Sequence, residues 1–295
     1  KAFFPFLSGF ACAIPAMMAT KTLESKRQRL LTIFVLPLIS CSARLPIYVL
    51  LLSFLVVPGS PYLGGLIMTA LYLIGVFASM AILLVCKRFT SSSEQDHFLL
   101  EVPSMKIPDW QGAIRKSFQK TTSFILKAGT SIVVVSMILW SATHLPISSE
   151  GNKYDLHSSY AAKVGKKLEP IMQPLGLDWR AGVALFIGFA AREVVVSSMV
   201  MMYGIDDEKD ESLSLFEQMK EVSIEGSQKK VFTTSSCLGL LIFYVFALQC
   251  FPTMAASRLE SGSWKLPFLQ LFLFTGVGYC IAVSVVNLLK TLGIE

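Results

Sequence analysis

Charge is what this sequence has least of. Lys, Arg, Asp and Glu make up 16% of its 295 residues, where a soluble domain carries about 25%. That shortage argues against a large helical core in water. Signatures of soluble catalysis are also missing: no G-x-x-x-x-G-K-[ST] phosphate loop, no H-E-x-x-H and no G-x-S-x-G occurs. This stretch is therefore expected not to be an enzyme and not to hydrolyse nucleotide. None of the six cysteines, Cys12, Cys41, Cys86, Cys237, Cys250 and Cys280, lies in a long polar loop. A disulfide framework and a structural zinc spacing are both excluded. The net charge of +6 comes without the interleaved basic and aromatic residues that read single strands, so no nucleic acid partner is expected. No signal-peptide pattern precedes the first apolar run. The chain opens on Lys1 rather than Met, so a longer protein with a further segment upstream is expected.

What is present is apolar. Hydrophobic residues make up 53% of the chain and the mean hydropathy is +0.60. Several runs reach the roughly 20 residues that cross a bilayer. The fold class expected is all-α, a polytopic transmembrane helical bundle with broken helices and the lipid bilayer as its surroundings. Seven membrane segments are expected, over 3–20, 30–57, 62–86, 122–146, 181–203, 233–257 and 267–289. The first reads as one spanning helix interrupted by Pro5, Gly9 and Pro15, the second is divided by Pro37 and Pro46, and the third is unbroken.

Positive charge in short loops marks the cytoplasmic side. Lys21, Lys26, Arg27 and Arg29 face a single Glu24 in the first loop, which places 21–29 inside. Two crossings later the polar linker 87–121 returns to that side. Its Trp110, Ile114 and Phe118 alternate with Arg115, Lys116 and Lys120, a spacing that suits an amphipathic helix on an anionic leaflet. Lys127 snorkels, and His144 lies near the outer end of its segment, ahead of an external stretch with Tyr154 and His157. Counting on, the acidic stretch 204–232 falls inside and 258–265 outside.

The chemistry gathers where helices break. Gly9-Phe10-Ala11-Cys12-Ala13-Ile14-Pro15 and Ser40-Cys41-Ser42-Ala43-Arg44-Leu45-Pro46 each set a cysteine near a proline inside an apolar run. A break in a membrane frees backbone groups that must be satisfied again, a cost met where the break faces a cavity or an ion. Both motifs have echoes: Gly188-Phe189-Ala190-Ala191 resembles the first, and Cys250 with Pro252 resembles Cys41 with Pro46. An internal repeat is expected. Glu193 lies within an apolar segment, where a carboxylate is expensive and functional by default; pairing with a base such as Arg44 is the plainer alternative. Cys12, Cys41, Cys250 and Glu193, with Ser40, Ser42 and carbonyls freed at Pro15, make a transient site for a borderline divalent ion, since sulfur suits Fe(II), Cu(I) or Zn better than Mg or Ca. Met17 and Met18 read as packing.

These residues carry a family resemblance. The run from Gly9 to Ala16, Arg29-Leu30-Leu31-Thr32, Ser40 to Pro46, Phe189-Ala190-Ala191-Arg192-Glu193-Val194-Val195-Val196 and Glu260-Ser261-Gly262-Ser263-Trp264-Lys265 together resemble the membrane domain of the bacterial ferrous iron transport protein B family. The resemblance divides the chain into a first gate-motif half, 1–86, a cytoplasmic amphipathic linker, 87–121, and a second gate-motif half, 122–295. It implies Fe(II) as the transported ion and the bacterial inner membrane as the location. It also implies an upstream GTP-binding domain that holds GTP and Mg, small cytoplasmic accessory proteins and a homo-oligomer. One further helix upstream would return the C-terminus to the cytoplasm. The gate motifs carry over as Cys12 with Pro15, Cys41 and Glu193, with Cys250 as a later cysteine. Ala11 and Ala13 replace residues that are commonly Gly and Asn, Arg192 stands where Lys is usual, and Cys250 precedes Phe251-Pro252 where many relatives place Pro directly before Cys. The rival readings are a related transporter of nucleosides or other organic solutes, and a membrane scaffold without transport.

Overall fold

Prolines help decide where several helices of this chain stop and start, because each removes one backbone N–H and is best placed in the first turn of a new helix; the helix Tyr160–Met172 nonetheless carries Pro170 inside it. The structure is a computed structural model that describes residues 3–23, 25–55, 61–89, 109–144, 160–190, 192–203, 231–247 and 250–293. The expectations for linker residues 90–108, for Tyr154 and His157, for the side chains of Lys127 and His144 and for residues 204–230 of the acidic stretch lie outside the described residues. Among the described residues every regular element is helical, as the composition required.

The first apolar stretch is not one spanning helix. α1 (Phe3–Gly9) and α2 (Ala13–Ala19) fold against each other as a hairpin. Cys12 between them is fully extended, with φ −158° and ψ 136°. At seven residues apiece, each half reaches about 10 Å, a third of a bilayer's hydrocarbon core. α3 (Lys26–Val35) and α4 (Leu45–Leu55) then cross as one broken span, with short 3₁₀ turns at Leu36–Leu38 and Ser42–Arg44 around the break. α5 (Pro61–Phe89) returns unbroken. α6 (Trp110–His144) begins where the Asp109 side chain accepts from Gly112 N–H at 3.0 Å. Its stripe of Trp110, Ile114 and Phe118 is exposed. α7 (Tyr160–Met172) follows.

The second gate stretch repeats the first in the opposite sense. α8 (Trp179–Ala190) and α9 (Val194–Met202) also form a hairpin instead of the expected span. Tyr203, just past α9, donates its hydroxyl to Asp178, just before α8, at 2.6 Å, so the chain leaves at the end where it entered. α10 (Thr234–Phe246) and α11 (Phe251–Ser261) cross as a second broken span, and α12 (Lys265–Thr291) runs back unbroken. Residues 3–89 and 179–291 thus share one plan: hairpin, broken crossing, straight helix. Four spans among the described residues are long and apolar enough to cross a membrane: Lys26–Leu55, Tyr62–Cys86, Thr234–Ser261 and Lys265–Thr291.

Ion pairs fix the relative ends. Glu260, at the close of α11, holds Lys21 at 3.0 Å and Arg29 at 2.6 Å. The 258–265 turn therefore shares an end with the basic loop 21–29 and does not face it across the bundle. From there α12 runs about 40 Å, and Lys290 ends near Gly176 at the other end. The basic loop and the C-terminus lie at opposite ends, where the count of seven crossings puts them on one side. The cause is local: counting the α8–α9 hairpin as a crossing flips every later loop.

Two of the four apolar clusters among the described residues flank the helix breaks. Ala16, Met17, Ile33, Leu36, Ile39 and Ala256 pack toward the basic end. Tyr48, Leu51, Val195, Met199, Leu240 and Tyr244 belong to the larger cluster toward the opposite end. The helix breaks lie between them.

Candidate functional site

Carbonyls left without a helical partner at the breaks are served by side chains from elsewhere in the chain. The Ala11 carbonyl, just ahead of the N-cap of α2, accepts from the Ser42 hydroxyl at 2.8 Å. The Ser42 N–H donates to Phe10 O at 3.0 Å. The hairpin break and the crossing break are thereby stitched into one structure. Pro37 frees the carbonyl of Ile33. Gln270, fully buried on α12, donates Nε2 to it at 2.8 Å and to Phe34 O at 3.1 Å, and its Oε1 accepts from Ser257 at 2.8 Å. A lone glutamine in an otherwise apolar helix was the sequence signal for this role.

The break of the second crossing exposes the carbonyl end of α10. Arg44 closes it. Its side chain is 1% exposed, with Nη1 donating to Val245 O at 3.0 Å and to Ser40 Oγ at 3.3 Å, and Nη2 to Pro37 O at 3.2 Å. Both backbone partners end half-helices, where the helix dipole is negative. Two such ends neutralise Arg44 without a carboxylate. The alternative that Glu193 pairs with Arg44 is thus not what the structure contains. Ser40 is 1% exposed, and its hydroxyl also meets Tyr48 at 3.4 Å. Tyr48 packs edge-on to Tyr72 of α5, which stacks against Phe10 at the hairpin break.

The four expected donors share one structural position. Cys12 is the N-cap of α2, Cys41 of the turn leading into α4, Glu193 of α9 and Cys250 of α11. None spends its side chain on capping its own helix. N-terminal helix ends favour negative charge, so the fold gathers four anion-forming groups at four favourable places. The three thiols are half-buried and Glu193 is exposed. Cys250 also contacts the Thr253 hydroxyl. Pro15 lies exposed in the first turn of α2. Among the described residues no three Cys, His, Asp or Glu side chains stand close enough to grip a metal ion. The donors are collected but not closed around a common point.

Arg192 is the residue that the sequence reading passed over. It is 6% exposed, its Nη1 lies 4.0 Å from Cys41 Sγ, and its Nε has no hydrogen-bond partner. No carboxylate lies within ion-pair distance of it among the described residues. The signal was available: an arginine inside an apolar segment is as costly as the glutamate beside it. Cys237 is buried in the larger apolar cluster, and Cys280 is exposed on α12, both away from the breaks.

Comparison with known proteins adds a second line. A family model described as a gate domain for nucleoside recognition matches residues 1–55 and 125–264. A model for the C terminus of ferrous iron transport protein B matches 68–120. The Fe(2+) transporter FeoB of Leptospira biflexa is 35% identical over 301 residues, covering 99% of this chain and 43% of the relative. That of Campylobacter jejuni is 34% identical over 304 residues, covering 99% and 47%. A Porphyromonas gingivalis protein, named as a fusion of Fe(2+) transport protein A and Fe(2+) transporter FeoB, is 31% identical and covers 90% of the chain and 35% of its own length. The chain spans less than half the length of these curated relatives. No solved structure matches it.

Proposed function

The chain belongs to the ferrous iron transport protein B family, and from that premise we propose that it is the membrane permease core for ferrous iron uptake. The observation that carries this reading is the placement of Cys12, Cys41, Glu193 and Cys250 at the starts of four half-helices that meet between the apolar clusters. Three sulfurs and one carboxylate suit a borderline divalent ion such as Fe(II). Half-helix ends that converge at mid-depth are how many transporters present ion ligands. Ligation there has to be weak enough for the ion to leave, and donors gathered but not closed meet that need.

In the whole protein, GTP and Mg would bind a domain upstream that gates the constriction, while this chain supplies the path and no catalysis. The location would be the bacterial inner membrane, with a homo-oligomer as the working form. A small accessory protein is a fitting partner, since the Porphyromonas gingivalis relative carries a transport protein A in the same chain. The name of the gate model, nucleoside recognition, keeps an organic solute in view, but thiols at the breaks fit a metal better than a base or a ribose.

The test is uptake of labelled Fe(II) by cells that lack their own ferrous transporter and express the full-length parent. Cys12→Ser, Cys41→Ser, Glu193→Gln and Cys250→Ser are each expected to lower uptake at normal protein level. Undiminished uptake in all four refutes the thiol–carboxylate path. Nucleoside uptake by the wild type, with none of iron, moves the assignment to the organic solute.

A further inference from the structure

Arg192 occupies an unusual place. It is a buried cation with no carboxylate partner among the described residues, and its Nη1 contacts the sulfur of Cys41, a proposed iron ligand, at 4.0 Å. Its chain neighbour Glu193, the proposed carboxylate ligand, is exposed. The two sit in the turn that joins the short helices α8 and α9. Arg44, the other buried cation nearby, is compensated by two helix ends; Arg192 has no such arrangement.

We propose that Arg192 is a tethered surrogate for the transported cation, holding the Cys41 sulfur in the empty state and exchanging places with the ion through a turn that brings Glu193 inward as Arg192 leaves. This inference rests on the permease reading. A guanidinium and a divalent ion cannot share one sulfur, because like charges about 4 Å apart repel strongly away from bulk water. An ion that reaches Cys41 therefore displaces Arg192. Adjacent residues point in different directions, so a rotation of the 192–193 turn that withdraws the arginine swings the glutamate the other way. The ion then gains a carboxylate in the step that removes its competitor. The return of Arg192 expels the ion. This accounts for the absence, among the described residues, of a closed metal-binding cluster in a fold that has gathered every donor. It also gives Arg192 a part in selectivity: an ion with affinity for sulfur displaces the guanidinium, whereas Na⁺, K⁺ or Mg²⁺, which prefer oxygen, do not.

The experiment is Co(II) binding to the detergent-solubilised full-length protein, read by the thiolate-to-cobalt charge-transfer band, together with Fe(II) uptake in cells. Arg192→Gln removes the competitor and is expected to tighten Co(II) binding by ~10-fold or more, because like-charge juxtaposition is lost, while uptake slows because release is no longer assisted. Arg192→Lys keeps the charge and is expected to stay near wild type in both. A merely structural arginine would give weaker binding in Arg192→Gln, and unchanged or weaker binding overturns the inference. In the wild type, Co(II) is expected to protect Glu193 from a water-soluble carbodiimide, and equal modification with and without Co(II) overturns it without any variant. Wild-type protein that binds no Co(II) refutes the permease reading and this inference with it. Wild type that binds, with Arg192→Gln no tighter, refutes the inference alone.

Discussion

Arg44→Leu is the substitution that most directly tests how the breaks are held. The side chain is 1% exposed and satisfies the carbonyls of Val245 at 3.0 Å and Pro37 at 3.2 Å, one from each broken crossing. Leucine fills much of the same space but donates nothing. Each carbonyl left buried and unpaired costs ~1–3 kcal/mol, so the loss is ~2–6 kcal/mol for the pair, partly offset because a buried charge no longer has to be kept out of water. For a domain of this size 1 kcal/mol is worth about 2 °C, which places the fall in unfolding temperature at roughly 4–12 °C. The assay is thermal unfolding of the solubilised full-length protein, followed by tryptophan fluorescence and by loss of the monodisperse peak. Arg44→Lys is expected to fall between wild type and Arg44→Leu, because a single ammonium serves two separated carbonyls less well than a fork of five donors. An unchanged unfolding temperature in Arg44→Leu would show that the helix ends need no buried cation, and would refute the account of the break layer given above.

Other expectations follow from the same geometry. Gln270→Leu leaves the Ile33 carbonyl without the donor that replaces the proline N–H; it is expected to lower stability by ~1–3 kcal/mol, measured by the same thermal assay. Ser42→Ala removes one of the two hydrogen bonds that join the breaks and leaves the backbone bond to Phe10 in place; a loss of ~0.5–1.5 kcal/mol is expected, with a larger proportional loss of Fe(II) uptake. Glu260→Gln weakens both ion pairs of a carboxylate that is 5% exposed, whereas Lys21→Ala removes a partner that is 61% exposed; the first is expected to destabilise clearly and the second by under ~1 kcal/mol. In labelling experiments with a membrane-impermeant thiol reagent, Thr22→Cys and Ser263→Cys are expected to react from one side of the membrane and Leu292→Cys from the other. Labelling of Ser263→Cys and Leu292→Cys from the same side refutes the arrangement of ends.

The breaks in the helices were legible before any coordinates. Cysteine next to proline in an apolar run marks a break by elementary backbone chemistry, and the pairs Gly9–Cys12 with Gly188–Ala191, and Cys41 with Cys250, marked the repeat. Two matters were hidden. A hairpin that enters and leaves by one end has the same composition as a helix that crosses, so hydropathy could not separate 3–19 or 179–202 from true spans. The helpful sign was the length of the halves: a break at the centre of a stretch just long enough to cross leaves two pieces, neither of which reaches the far side. The second hidden matter was the work of the polar residues. Ser42, Gln270 and Arg44 serve carbonyls 31, 237 and 201 residues away in the chain, and no local pattern announces a partner at that distance.

The latches that tie the two repeats differ in kind at the two ends. At the basic end, Glu260 of the second repeat binds Lys21 and Arg29 of the first. At the other end the contact between repeats includes Phe54 stacked on Phe232 at 5.1 Å, beside a Tyr203–Asp178 bond internal to one repeat. An inverted repeat makes the two halves alike in backbone, yet one end is latched by charge and the other by aromatic surface. Ionic strength acts on the exposed arm of the first latch, and temperature on the second. The two ends of the bundle therefore answer to different conditions, one to salt and the other to heat.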